Sequence, residues 1–191
     1  MAIAYQSTEK RVELVRAAMG LLHRQGLQRT TLADVASEAH VPLGNVYYYF
    51  KTKEALAEAV IAAHEAALCE CLAALDAAHE DPKARLQALI RAPLDEADDV
   101  IRFGCPHGSL CQELEKLDPD APLAQAAARL FEIYVTWAEQ QFRALGDRRT
   151  SRDRAVELIA ALQGTMLLAN TMRSPDLLVR QLRRIERMLD E

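Results

Sequence analysis

The dipeptide Val41-Pro42 constrains this chain more than any other feature, because it makes two helical segments meet at a sharp corner. Proline disfavours helical backbone for the residue before it, yet suits the first turn of a new helix. Upstream, Thr31 is a good N-cap, and Asp34 three places on can return a hydrogen bond, an acidic variant of the capping box. Leu32, Val35, Ala36 and Ala39 then follow helical spacing. Downstream, a helix from about Pro42 to Tyr49 is too short to stand alone, since isolated helices below about 12 residues are marginal in water. Val46 and Phe50, four apart, share the face that plugs it into a bundle.

The outward side of this second helix carries Leu43, Gly44, Asn45, Tyr47, Tyr48 and Tyr49. Three consecutive tyrosines cannot all be core. An exposed aromatic cluster between a small Gly44 and the basic pair Lys51 and Lys53 fits a nucleic-acid duplex. Phenol hydroxyls reach phosphates, rings cover thymine methyls, and ammonium groups neutralise backbone charge. The two segments therefore read as a helix-turn-helix. Thr31, Leu43, Gly44, Asn45, Tyr47, Tyr48, Tyr49, Lys51 and Lys53 are its expected DNA-contacting residues. Charge agrees with this placement: residues 1–53 carry seven basic side chains against four acidic ones, a net +3, which leaves −8 of the total −5 on residues 54–191.

The stretch resembles the DNA-binding head of TetR-family regulators, whose recognition segment reads Val-x-x-x-x-[Leu/Val/Ile]-Tyr-x-[Tyr/His]-Phe-x-x-Lys-x-x-Leu. Val41, Val46, Tyr47, Tyr49, Phe50, Lys53 and Leu56 occupy those places here. The resemblance implies an all-α fold, with a three-helix helix-turn-helix head over residues 1–53 and a helical ligand-binding and dimerisation body over 54–191. It implies a homodimeric transcriptional regulator, a repressor that binds a palindromic operator in double-stranded DNA and is released by a small-molecule inducer.

Half of the residues are hydrophobic and 5% aromatic, with alanine and leucine prominent, which also points to an all-helical fold. No apolar run approaches 18 residues and the N-terminus lacks a signal-peptide core, so a cytoplasmic protein with no membrane partner is expected. Residues 1–7 read as an arm, with Ser7 capping a helix to about Gln25 that Gly26 closes. A long helix from Thr52 to about Glu80 links head and body. At 1.5 Å per residue its length is about 40 Å. On it, Cys69 and Cys71 lie on opposite sides and are expected to be buried or half-buried residues rather than a site. A helix from Pro82 to Leu94 follows, and the acidic run Asp95–Asp99 reads as a solvated face or loop.

Residues 102–114 are unlike their surroundings, with two glycines, a proline and two cysteines before a helix for which Ser109 is a plausible cap. Gly104 to Leu114 resembles a Gly-Cys-Pro-x-Gly-Ser-Leu-x-x-Glu-Leu signature in the regulatory bodies of one TetR subgroup. Three readings of Cys105 stand: a small residue at a tight turn, a sensor of electrophiles or oxidants, or a zinc ligand with His107 and Cys111. The last lacks both the usual spacing and a fourth ligand, so neither metal nor cofactor is expected.

Two long helices, about Pro122 to Leu145 and Arg152 to Arg173, have apolar faces wider than one contact needs. Leu130, Ala138, Phe142, Ile159, Leu162 and Met166 are therefore expected at a two-fold dimer interface. A final helix runs from about Pro175 to Leu189. The resemblance also implies an inducer cavity, for which Phe103, Cys105, His107, Phe131, Tyr134 and Trp137 are candidate lining residues, suiting an apolar or aromatic inducer. A catalytic role has little to stand on, because Ser109 beside His107 lacks a third orienting group and the five histidines are scattered. An enzyme or carrier using the helical body is the rival from another class.

Overall fold

The computed structural model describes residues 2–190, with side chains from Glu9 onward, and among them every regular element is helical. Helix α1 (Ala2–Gln25) already includes residues 2–7, the expected arm, and the side chains of that stretch, Ser7 included, lie outside the described set. Gly26 closes α1 as its residue type predicts, at φ +83° with its N–H donating to the Leu22 carbonyl at 2.9 Å. Next come α2 (Leu32–Glu38), α3 (Leu43–Tyr49) and α4 (Lys53–Ala78). Thr52 caps α4, accepting from the Ala55 N–H at 3.1 Å.

Helix α5 (Pro82–Arg91) starts behind the Asp81 cap and runs into a single 3-10 turn, Ala92–Leu94. Of the two readings of the acidic run the solvated face holds at Asp98 and Asp99, which are exposed on a helix, α6 (Ala97–Phe103). The acidic run supplies Asp98 and Asp99 to its first turn, where carboxylates complement the N-terminal end of the helix dipole, and Arg102 sits in its last turn. Val100 is buried on its inner side, and Gly104 at φ +80° ends it. A solvated loop and the exposed first turn of a helix have the same composition, which is why the run alone leaves face and loop open.

Helix α7 (Pro106–Leu117) likewise begins three residues before the Ser109 cap predicted for it. Pro106 takes the first helical position, and Cys105 just before it performs the capping, its Sγ accepting from the Gly108 N–H at 3.4 Å. Three helices complete the chain: α8 (Pro122–Ala144), α9 (Ser151–Thr171) and α10 (Pro175–Met188), the last capped by Ser174.

The helices sort into two compact units, Met1–Ala66 with Ser109–Ala128, and Ala67–Gly108 with Arg129–Glu191. In the first, Leu14, Ala18, Leu22, Val35, Val46, Phe50, Val60, Leu110 and Leu114 share one core. Burying Val46 and Phe50 stabilises the short α3 by on the order of 3–6 kcal/mol before entropy is counted, which is what a seven-residue helix lacks on its own. His64 on α4 is also buried there, and desolvation followed by the charge of His23 pushes it down to about 4, so it is neutral at physiological pH.

In the second unit, Leu86, Ile90, Phe142, Leu158, Leu162, Leu178, Leu182 and Ile185 form the core. This placement corrects the premise behind the expected dimer interface. Leu130, Ala138, Phe142, Ile159, Leu162 and Met166 are all buried inside the single chain, none more than 8% exposed, so they have little surface to offer a partner. Part of the surplus apolar width of α9 is taken up by α10 and α6, which pack on it. The large apolar residues that α9 leaves in water are Val156, Leu167 and Leu168. Cys69 and Cys71 are exposed rather than buried or half-buried.

Candidate nucleic-acid interface

The capping box read from sequence is present at α2. Thr31 Oγ1 accepts from the Asp34 N–H at 3.1 Å, and the Thr31 N–H donates to Asp34 Oδ2 at 2.8 Å. The bond from the Thr31 N–H, followed by one from the Thr31 hydroxyl, holds the Asp34 carboxyl below its ordinary value. The far end of α2 closes with two bonds, Val41 N–H to the Ala36 carbonyl at 3.0 Å and His40 N–H to the Ser37 carbonyl at 3.1 Å. This is the Schellman arrangement, and its left-handed position is taken by His40 at φ +53° rather than by the usual glycine. Sequence reading put the corner at Val41-Pro42 and missed His40, because no glycine marks it.

Pro42 stands one place outside α3 as its N-cap, and Val46 and Phe50 anchor the inner side as predicted. The outer side presents Leu43 and Gly44, with Asn45 half-buried next to them. Tyr47 is 48% exposed and Tyr48 70%, large areas for aromatic rings on a folded chain. Tyr49 is the exception among the tyrosines: it is half-buried against the first unit's core, with its ring 4.9 Å edge-on from that of Tyr48. A Cβ on Gly44 would meet nothing within 4 Å, so nothing inside the chain requires glycine there. Lys51 is exposed. Lys53, expected on a phosphate, donates through Nζ to the Gln28 carbonyl at 2.9 Å in this structure. Such a surface offers rings, hydroxyls and at least one ammonium group to a polyanion without a cleft, which suits a duplex groove rather than a small molecule.

The candidate inducer residues lie in the second unit, and only some come together. Tyr134 OH is 3.2 Å from His107 Nδ1, and the Phe131 and Tyr134 ring centroids are 6.4 Å apart. Burial pushes the Tyr134 phenol up, and Cys105 adds to the same direction. Phe103 is half-buried, under the Arg102 guanidinium at 5.1 Å from its ring centroid. Trp137 is core: it is buried and its indole N–H donates to Asp76 Oδ2 at 3.1 Å, in a network with Arg85 and Gln141. Burial also pushes the Cys105 thiol up, against the hydrogen bonds its sulfur receives. A Cβ on Gly108 would lie 3.0 Å from Gln163 Oε1, the end of a side chain that can move aside. Among the described residues no group of three or more His, Cys, Asp or Glu could hold a metal ion, and no helix is long and apolar enough to cross a membrane.

Comparison with known proteins places these features. Residues 14–60 match the family described as bacterial regulatory proteins, tetR family. The chain is 29% identical over 173 residues to an HTH-type transcriptional regulator in the lacX 3' region of Lactococcus lactis subsp. lactis, spanning 86% of this chain and 85% of that one. It is 32% identical over 116 residues to the HTH-type transcriptional regulator TtgR of Pseudomonas putida, which covers 61% of this chain and 46% of that protein. A solved structure of regulatory protein TetR from Rhodobacter sphaeroides superposes with a TM-score of 0.79 at 28% identity, over 92% of this chain and 96% of that one. These relatives are regulators, not enzymes. The capped corner, the anchored short helix and the all-helical fold thus belong together: residues 14–60 carry the DNA-binding segment of the tetR family, and the chain is similar to helix-turn-helix transcriptional regulators over most of its length.

Proposed function

We propose that the protein is a homodimeric, ligand-responsive repressor acting in the cytoplasm, which reads a palindromic operator through α3 and leaves it when a small inducer binds the body. The observation that carries this reading is the outer side of α3, where Tyr47 and Tyr48 stand in water beside an unobstructed Gly44. In the proposed division, residues 1–53 are the DNA-binding domain and 54–191 the ligand-binding and dimerisation domain. Leu43, Gly44 and Asn45 face base edges, while Thr31, Tyr47, Tyr48, Tyr49 and Lys51 serve backbone contact and shape. Lys53 reaches a phosphate only by releasing the Gln28 carbonyl. Two copies paired through the exposed apolar side of α9, Val156, Leu167 and Leu168, with Met172 just beyond its end, would set two heads on successive major grooves about 34–36 Å apart.

For the inducer, the pairing of His107 with Tyr134 beside Phe131 supports an apolar or aromatic molecule with one polar group. Its effect is limited to the difference in its affinity for the two states. The covalent alternative, with Cys105 as sensor in the subgroup bearing the Gly-Cys-Pro-x-Gly-Ser-Leu segment, has less support. A thiol raised by burial keeps little thiolate at neutral pH, and the thiolate is the nucleophile. Footprinting on the DNA upstream of the chain's own coding sequence tests the proposal. Protection of two half-sites related by a dyad supports it, and uniform or absent protection refutes it.

A further inference from the structure

The loop between α1 and α2 is gripped from several sides, and one grip comes from a residue more than 80 positions downstream. After Gly26 at φ +83°, two successive amides turn toward one carboxylate. The Leu27 N–H donates to Glu113 Oε2 at 2.6 Å and the Gln28 N–H to Glu113 Oε1 at 2.7 Å. Successive amides beside a left-handed residue form a concave anion cradle, and bonds to an ionised acceptor are about twice as strong as neutral ones. A Cβ on Gly26 would lie 3.0 Å from Glu113 Oε2 and 3.3 Å from Oε1, so glycine here serves both the backbone and the approach of the carboxylate. From another direction Lys53 holds the Gln28 carbonyl. The Thr30 hydroxyl donates to the Gly26 carbonyl at 2.7 Å and accepts from Gln25 Nε2 at 3.2 Å. Three residues beyond Gln28 the same backbone becomes the Thr31 cap of α2.

Glu113 is itself well placed to hold a position. Leu110 and Leu114 beside it on α7 are buried in the core that also contains Val35, Val46 and Phe50 of the reading head. The Gly104–Leu114 segment, singled out in the sequence for its cysteine, thus contributes its acidic residue to the head.

We propose that Glu113 is a positioning residue for DNA reading: its carboxylate fixes the loop from which α2 starts, and through α2 the pose in which α3 meets a duplex. The inference rests on the DNA reading proposed above. Glu113→Gln tests it, because the amide keeps the size of the side chain but offers one acceptor oxygen and an NH2 donor where two amides need acceptors. Glu115→Gln, an exposed change of the same charge on the same helix, is the control. Each protein is measured against a duplex that the wild type selects from a random pool and against a scrambled duplex of equal composition, with amide hydrogen exchange followed in parallel.

The expected result for Glu113→Gln is at least tenfold weaker binding to the selected duplex, unchanged binding and salt slope on the scrambled one, and faster exchange at Leu27 and Gln28. Glu115→Gln should match the wild type. Equal binding of the selected duplex by Glu113→Gln and wild type overturns the inference, as does a parallel loss on both duplexes, which is the mark of a merely structural role. Should Glu113→Gln fail to fold, Glu113→Asp replaces it, since its shorter reach keeps the charge; retained selectivity with slow exchange at both amides would then overturn the inference. A wild type that selects no duplex refutes the DNA reading and this inference with it, whereas exchange at Leu27 and Gln28 reports on the grip alone.

Discussion

Helices α3 and α9 both leave large apolar side chains in water, and they do so in different chemical company. On α3 the exposed groups are Leu43 and, with larger areas, Tyr47 and Tyr48, each with a hydroxyl, beside a glycine that nothing crowds and close to Lys51. On α9 they are Val156, Leu167 and Leu168, aliphatic and without a polar handle. Exposed apolar area marks an interaction surface in both places. Aromatic rings with hydroxyls and a neighbouring cation match a partner that offers phosphates and base edges, whereas bare aliphatic groups match only another apolar surface. In the proposed assembly one face meets DNA and the other meets a second copy of the chain.

The largest expected effect separates the exposed side of α9 from its buried side. Leu162→Glu places a carboxylate in the core of the second unit and should cost about 3–5 kcal/mol or abolish folding, seen as a lost or strongly shifted urea transition. Leu168→Glu, on a residue 51% exposed, should leave that transition of the protomer nearly intact and shift the light-scattering mass to that of one chain, 21.3 kDa. A Leu168→Glu protein that remained dimeric at micromolar concentration would break the comparison on the α9 side.

A smaller effect tests the cation beside α3. Lys51→Ala should weaken binding to selected and unselected duplexes alike and reduce the salt slope of binding by about 1, because one phosphate contact releases about one counterion. An unchanged slope would remove Lys51 from the interface and leave the tyrosines as the main contacts.

The smallest expected effect concerns the cap that launches α2. Thr31→Ala should cost about 1 kcal/mol of stability in a thermal or urea melt. Asp34 supplies the sign of its pH dependence. Its carboxyl is held below the ordinary value in the folded chain, so the stability it contributes is complete above an unfolded value near 3.8 and is lost as pH falls through the lower folded value. Thr31→Ala keeps the bond from the Thr31 N–H and removes that from its hydroxyl, so it should flatten that acid limb in part, and an equally steep loss in both proteins would show that the hydroxyl contributes nothing.

The head was legible in the sequence because its signals are local. A cap at Thr31, a proline after Val41 and two anchors four residues apart each act within one turn of helix, and the structure places them as read. Signals that depend on distant residues were not legible. Glu113 looked like one acidic side chain among many, because its partners Leu27 and Gln28 are more than 80 positions away. Trp137 and Tyr134 were both aromatic candidates for a pocket, and only the position of Asp76 shows that the indole is held in the core. Leu162 and Leu168 have the same composition and differ only in which helix covers them. The acidic residues at 98 and 99 left solvated face and loop undecided for another reason: a solvated loop and a first helical turn favour the same side chains.

The claim that α3 reads DNA through its outer side is tested most directly at Gly44. A Cβ there meets nothing within 4 Å, and alanine is intrinsically the better helix former by roughly 1 kcal/mol. Gly44→Ala should therefore melt at the same temperature as the wild type or higher, yet bind the selected duplex at least tenfold more weakly, about 1.4 kcal/mol, because the added methyl group stands where the duplex must approach. Unchanged affinity in a protein of equal or greater stability would contradict the account.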